Sequence, residues 1–135
     1  MLESTAAFSS FATDDIEAAR AFYADVLGLT VKDLGMGGLL GLEVGGGTDV
    51  MVYPKPDFVP ATYTVLSFPV PDLEATVDEL VAKGVTMTRY DGLFEGFEQD
   101  ERGIARGPVG PAIAWFSDPA GNVLAVLEQD GARSS

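Results

Sequence analysis

The stretch Thr13–Gly28, with the sequence TDDIEAARAFYADVLG, decides the fold of this chain. Its apolar side chains recur at the spacing of one helix face, and they are Ile16, Ala19, Phe22, Tyr23 and Val26. Asp14 and Glu17 have the spacing of a capping box, and Gly28 stands where a helix ends in a residue with positive φ. The stretch therefore predicts a helix that packs one apolar face against another element.

A second copy of this pattern lies about 57 residues further along the chain. Asp15–Ala19 (DIEAA) matches Asp72–Thr76 (DLEAT), and Gly84 ends the second helical pattern as Gly28 ends the first. A repeat of this length is too long for a solenoid, so we interpret the chain as two halves of a single domain covering residues 1–135.

The runs of apolar residues around the two helices predict the same β-α-β-β-β order in each half, which implies a mixed sheet with helices on one face. We expect module one at about 6–53, a proline-rich linker at 54–61, module two at about 62–129 and a mobile tail at 130–135. The predicted strands lie near 6–12, 29–34, 39–44, 49–53, 62–69, 85–90, 112–117 and 122–128. The segment 91–110 is predicted to be one long irregular loop.

Composition excludes several classes of function. Eight Lys and Arg face 21 Asp and Glu, giving a net charge of −13 that disfavours binding to nucleic acid or to anionic membrane surfaces. The chain has no His and no Cys, so imidazole bases, thiolate nucleophiles and disulfides are excluded. No apolar run is long enough to span a bilayer and the first residues do not form a signal-peptide pattern, so we expect a soluble, cytoplasmic protein.

Two motifs resemble one known family. Thr13–Gly28 resembles the opening pattern V-x-D-L-x-x-S-x-x-F-Y-x-x-V-L-G of the vicinal oxygen chelate superfamily, and Phe116–Asn122 (FSDPAGN) resembles its closing pattern F-x-D-P-x-G-N. This superfamily includes glyoxalase I, extradiol dioxygenases and bleomycin-resistance proteins. The resemblance covers roughly residues 6–129 and implies an α+β fold, in which two βαβββ modules form a curled mixed sheet around a shared cavity.

The resemblance also implies four metal-ligand positions, which are His and Glu in the catalytic members. The matching positions in this chain are Phe8, Met51, Val65 and Ala125. The immediate neighbours of these four residues include no His, Asp, Glu or Cys, so a shift of one position does not restore a donor set. We therefore expect no metal and no cofactor.

An apolar floor in place of the metal predicts a site for a small organic ligand, either aromatic or cationic. The candidate ligand-binding residues are those expected to face the cavity and the aromatic residues of the linker, loop and strands. They are Phe8, Ser10, Met51, Tyr53, Phe58, Tyr63, Val65, Phe97, Trp115 and Ala125. Tyr90 is a further aromatic residue on which a planar ligand could stack. The resemblance also implies a homodimer.

Three functions remain open from the sequence. The first is a metal-independent protein that sequesters an aromatic or cationic compound, as bleomycin-resistance proteins do. The second is a metal-free enzyme, an isomerase, cyclase or lyase-like catalyst of proton transfer, with Tyr53, Tyr63 or Glu128 as the catalytic group. The third is an interaction or regulatory domain whose cavity is plugged by Phe8 and Met51.

Overall fold

The computed structural model describes residues 1–45, 49–90, 96–108 and 110–129. The chain forms two compact units, Met1–Pro60 and Ala61–Ser135. The division falls inside the proline-rich segment 54–61, the region predicted as a linker. Each unit is described separately below.

Unit 1 contains a four-stranded sheet and one helix. Its elements are β1 (Ser10–Thr13), α1 (Ile16–Ala21), β2 (Val31–Gly35), β3 (Leu39–Leu42) and β4 (Val50–Pro54). The strand order is β1-β4-β3-β2, with β1 parallel to β4 and the other neighbours antiparallel. This arrangement corresponds to the predicted β-α-β-β-β order.

The helix of unit 1 differs in two details from its prediction. Asp15 rather than Asp14 is the N-cap, because its Oδ1 accepts a hydrogen bond from Ala18 N–H at 3.1 Å. After α1 the backbone continues as a π-helical segment, Phe22–Val26, in which Leu27 N–H bonds to Phe22 O at 3.1 Å. Gly28 ends this segment with a φ of 74°, as predicted.

Tyr23 of the opening motif packs into the core of unit 1, and Phe22 is half-buried beside it. Tyr23 is fully buried, with its ring centroid 5.9 Å from that of Phe11 on β1 and 5.3 Å from that of Phe22. The register aligns Phe11, Val52 and Leu40 across three strands, and all three are buried. One face of this sheet is therefore covered, since alternate residues of a strand point to the same side.

Unit 2 contains a five-stranded sheet and one helix. Its elements are β5 (Thr64–Val70), α2 (Leu73–Ala82), β6 (Glu98–Gln99), β7 (Ala105–Arg106), β8 (Ile113–Ser117) and β9 (Val123–Glu128). The strand order is β5-β9-β8-β7-β6, with β5 parallel to β9. Asp72 caps α2 by accepting a hydrogen bond from Ala75 N–H at 3.1 Å. Within the described ranges, no helix has the length and apolarity needed to cross a lipid bilayer.

Two predictions for unit 2 are wrong. The segment 85–90 is not a full strand, because its ladder contact within the described part of the chain is a single bridge between Met87 and Phe116. The segment 91–110 is not irregular throughout, because it contains the β6–β7 hairpin. A side chain explains the first difference: Gln99 bonds to the backbone of Thr88 and Tyr90, where a neighbouring strand would otherwise pair. Residues 91–95 of the predicted loop, and the predicted tail 130–135, lie outside the described residues.

The closing motif forms a turn held by a buried carboxylate between β8 and β9. Asp118 Oδ1 accepts hydrogen bonds from Ala120 N–H at 3.0 Å and Asn122 N–H at 2.9 Å. Asp118 Oδ2 accepts a third from the Asn122 side-chain amide at 3.1 Å. Asp118 and Asn122 are both buried, and Gly121 supplies a φ of 96°. This motif is therefore explained by turn structure.

We predict that Asp118→Ala lowers the free energy of unfolding by about 2–4 kcal/mol, because it leaves buried N–H donors without an acceptor. Urea denaturation followed by circular dichroism measures the change. The exposed Asp14→Ala is the control and should shift the free energy by less than about 0.5 kcal/mol. Equal stabilities of the two variants would contradict this account of the turn.

Candidate functional site

In unit 1 the sheet face opposite α1 carries the first group of predicted ligand residues. The register aligns Lys32, Gly41, Met51 and Ser10 in one row across the four strands. Ser10 is exposed and Met51 is half-buried, and Tyr53, two residues further along β4, is half-buried as well. The structure therefore places three of the predicted residues on one face of unit 1.

A depression of about 260 Å³ lies beside the start of β1 and β4. It is lined by Ala7, Phe8, Ser9, Asp49 and Val50. Phe8 is 58% exposed, which is unusual for a phenylalanine and leaves the ring accessible to a ligand. We call this feature the Phe8 depression.

Two carboxylates and one ammonium group surround this part of the sheet. Lys32 Nζ lies 2.9 Å from Asp49 Oδ2 and 3.7 Å from Glu43 Oε2. The hydrogen bond to Asp49 raises the pKa of Lys32 and outweighs desolvation, which lowers it. The negative charges of Asp49 and Glu43 raise the pKa further. Lys32 therefore stays protonated, and two negative charges against one positive leave a net charge that favours a cation.

One face of the unit 2 sheet carries Trp115. The register aligns Ser67, Ala125 and Trp115 across β5, β9 and β8. Trp115 is half-buried, whereas Ala125 is fully buried. The pairing of β5 with β9 skips Val65, so Ser67 and not Val65 lies opposite Ala125.

An aromatic pair extends this face beyond the strand. The rings of Tyr90 and Trp115 are arranged edge to face, with centroids 5.2 Å apart and an interplanar angle of 82°. Tyr90 remains 38% exposed.

The remaining aromatic candidates lie in other surroundings. Tyr63, just before β5, is 71% exposed. Phe58 is half-buried in a linker turn, where its N–H bonds to Lys55 O at 3.2 Å. Phe97 is half-buried and lies flat against Gly107, where an added Cβ would come within 2.7 Å of three ring atoms.

The structure does not bring the two catalytic candidates of unit 2 together. Tyr63 precedes the first residue of β5, whereas Glu128 pairs with Val70, the last residue of β5. At about 3.3 Å per residue, Tyr63 and Glu128 are roughly 20 Å apart along the sheet. Glu128 Oε1 instead accepts a 3.4 Å hydrogen bond from Ala112 N–H. Tyr53, the third candidate, belongs to unit 1.

Polar interactions hold the β6–β7 hairpin. Asp100 Oδ1 accepts hydrogen bonds from the N–H groups of Arg102 at 2.9 Å and Ile104 at 3.0 Å, and Oδ2 accepts one from Arg106. Burial raises the pKa of Asp100, but the hydrogen bonds from Arg106, Ile104 and Arg102 outweigh burial and hold the pKa below its ordinary value. Asp100 is thus an ionised acceptor at the centre of the hairpin.

Comparison with known proteins agrees with this architecture. A model of the bleomycin resistance protein-like N-terminal family matches residues 10–45. An antibiotic binding protein, TnmS3, from a Streptomyces species has a TM-score of 0.66 at 22% identity, covering 94% of this chain and 98% of that one. A glyoxalase/bleomycin resistance protein/dioxygenase superfamily member from Sphaerobacter thermophilus has a TM-score of 0.66 at 25% identity, covering 92% and 98%. No curated protein matches the sequence.

The chain has the fold of the glyoxalase/bleomycin resistance protein/dioxygenase superfamily. A glyoxalase family protein from Enterococcus faecalis is also similar, with a TM-score of 0.64 at 18% identity, covering 95% of this chain and all of that one. The predicted α+β fold is confirmed.

The residues of this chain at the positions that the resemblance assigns to metal ligands do not fit a divalent metal. Phe8, Val65 and Ala125 have no donor atom in their side chains, and the thioether of Met51 is a soft ligand that hard cations do not prefer. Among the described residues, no group of three acidic side chains is placed to hold a metal ion. We therefore derive no step through a metal.

Three residues of these surfaces lie outside the candidates predicted from the sequence, which already include Tyr90: Lys32, Asp49 and Gln99. Asp49 lies two residues before Met51, which is the spacing of one strand face, so the sequence contained a signal for it. Gln99 had no such signal, because its position depends on the hairpin.

The lowered pKa of Asp100 predicts how stability depends on pH. Its stabilising contribution is fully present above the ordinary aspartate pKa of about 3.9 and is lost as the pH falls through the lower pKa of the folded state. Asp100→Asn should therefore lower the urea midpoint at about pH 7 and reduce the further loss between about pH 4 and pH 2. Glu101→Gln, which removes the neighbouring exposed carboxylate, is the control. An acid limb equally steep in wild type and Asp100→Asn would contradict this prediction.

Proposed function

We propose that this protein is a cytoplasmic, metal-independent small-molecule-binding protein that sequesters an aromatic or cationic organic compound. The Phe8 depression is the observation that carries the proposal, because it combines an accessible aromatic ring with a carboxylate in one unit. A ring face attracts an organic cation by about 0.5–1 kcal/mol at an exposed site. The carboxylate of Asp49 adds charge complementarity.

Structural neighbours support the proposal at a coarser level. Small-molecule binding occurs among them, since TnmS3 is described as an antibiotic binding protein. The family model that matches residues 10–45 is also of the bleomycin-resistance type. A binding function is therefore represented within the same fold.

The alternative of a metal-free enzyme has less support. The geometry of unit 2 separates Tyr63 from Glu128 by roughly 20 Å, so these two residues do not form an acid–base pair. The hydrogen bond from Ala112 gives Glu128 a role at the end of β9. Binding without turnover is thus the function that the geometry favours.

The first test uses N-methylacridinium as the cationic probe and neutral acridine, at about pH 8, as its uncharged counterpart. We predict that Phe8→Ala weakens N-methylacridinium binding about two- to fivefold in isothermal titration calorimetry, because the ring contact is lost. Phe8→Leu keeps an apolar side chain of similar size and isolates the contribution of the aromatic ring. Binding of both variants with wild-type affinity would contradict the role of the Phe8 depression.

The second test concerns charge. Asp49→Asn should weaken N-methylacridinium binding about threefold while changing acridine binding little, because only the cation loses an electrostatic partner. Lys32→Gln should have the opposite effect on the cation, since it releases Asp49 from its ion pair. Asp33→Asn is the matched control, because the Asp33 carboxylate also forms an ion pair, to Arg20 at 3.0 Å. Asp33 follows Lys32 on β2, so its side chain lies on the opposite face of the sheet.

We further propose that the protein is a homodimer. Support comes from exposed large apolar side chains in both units, with Met36 87% exposed in unit 1 and Tyr63 71% exposed in unit 2. Light scattering should give about twice the 14.2 kDa mass of the chain. A monomer mass at all protein concentrations would contradict the dimer without affecting the ligand tests.

A further inference from the structure

The side chain of Gln99 takes the place of a missing strand beside residues 88–90. Its Oε1 accepts a hydrogen bond from Tyr90 N–H at 2.7 Å, and its Nε2 donates to Thr88 O at 3.0 Å. In a parallel ladder, the N–H of a residue donates to the carbonyl of the residue that precedes its partner. Its own carbonyl accepts from the N–H of the residue that follows that partner. The Gln99 amide therefore mimics a backbone peptide group.

These bonds fix the backbone on both sides of residue 89. On the other side, Thr88 N–H bonds to Trp115 O at 2.8 Å. The segment from Thr88 to Tyr90 is thus held between the Trp115 backbone and the Gln99 side chain. Since Tyr90 contacts Trp115 edge to face, its ring position depends on this arrangement.

Gln99 itself is held by the hairpin that carries it. Its Nε2 also donates to Gly103 O at 2.9 Å, which closes the β6–β7 turn. Arg102 bonds to Asp78 on α2 at 3.0 Å, which ties the hairpin to the helix. The amide is therefore presented from an anchored element, and a side chain with anchored partners loses little further entropy.

We propose that Gln99 is a positioning residue for a second ring-binding surface, formed in unit 2 by Tyr90 and Trp115 for a planar aromatic ligand. This inference rests on the proposed function, because it assigns that surface to the same class of organic ligand. Gln99 contacts no ligand itself. It sets the angle and distance at which the two rings meet.

The test measures the fluorescence and the near-ultraviolet circular dichroism of Trp115. Because Trp115 is the single tryptophan of the chain, every tryptophan signal comes from this site. Gln99→Leu, which has no hydrogen-bonding group, should lose the near-ultraviolet signal of the Tyr90–Trp115 pair. Quenching of Trp115 by neutral acridine should then show roughly tenfold weaker binding. Gln129→Leu, at an exposed glutamine of the same unit, is the matched control and should behave as wild type.

A double-mutant cycle separates positioning from general structural support. Tyr90→Leu removes the partner ring directly, so Gln99→Leu should cause no further loss of acridine binding in its presence. Additive losses would overturn the proposal. Gln99→Glu keeps the acceptor for Tyr90 N–H and removes both donors, so its acridine affinity should lie between those of wild type and Gln99→Leu. This variant replaces Gln99→Leu in the test if the leucine variant does not fold.

The remaining outcomes are also decisive. Wild-type circular dichroism and acridine affinity in folded Gln99→Leu would overturn the positioning role. Absence of acridine binding to the wild type would overturn the ring-binding surface, while the spectrum of the free protein would still report on Gln99. Failure of the proposed function is seen separately, because N-methylacridinium binding would then be unchanged in Phe8→Ala and in Asp49→Asn.

Discussion

The structure depends on one constraint, which is that the unit 1 sheet buries one face against α1 and leaves Ser10 and Lys32 exposed on the other. In unit 1 the buried row of Phe11, Val52 and Leu40 packs in the core with Tyr23, and the alternate row ends at Ser10 and Lys32. Because successive residues of a strand point to opposite sides, the strand residues that fill the core also determine which of their neighbours face away from it. The row of Ser10, Met51 and Lys32 follows from this alternation, whereas Phe8 and Tyr90 lie outside the strands.

The motifs that resemble those of the superfamily are mainly structural in this chain. Tyr23 fills the core of unit 1, and Asp118 holds a turn through three hydrogen bonds. Such motifs report the fold, because they satisfy buried backbone groups and fill buried volume. They carry no information on the ligand, which is set by the residues on the open faces.

The two units present different chemistry on these faces. The Phe8 depression combines a ring with a net negative surround, in which Lys32 partly neutralises Asp49 and Glu43. Unit 2 offers the Tyr90–Trp115 pair, held by an amide and not by charge. A ligand with a cationic group and a planar ring system suits both kinds of surface, which is why charge and ring contributions are tested with separate probes.

The sequence by itself determined the two helices, the order of most strands and the fold, because helical periodicity and turn residues are local signals. It also placed Ser10, Met51 and Tyr53 on one face, since strand alternation follows from residue number once the strand is known. Only the tertiary structure decided the β6–β7 hairpin, the role of Gln99 and the distance between Tyr63 and Glu128. These depend on contacts between residues far apart in the chain or on side chains that replace backbone partners, and no local pattern encodes either.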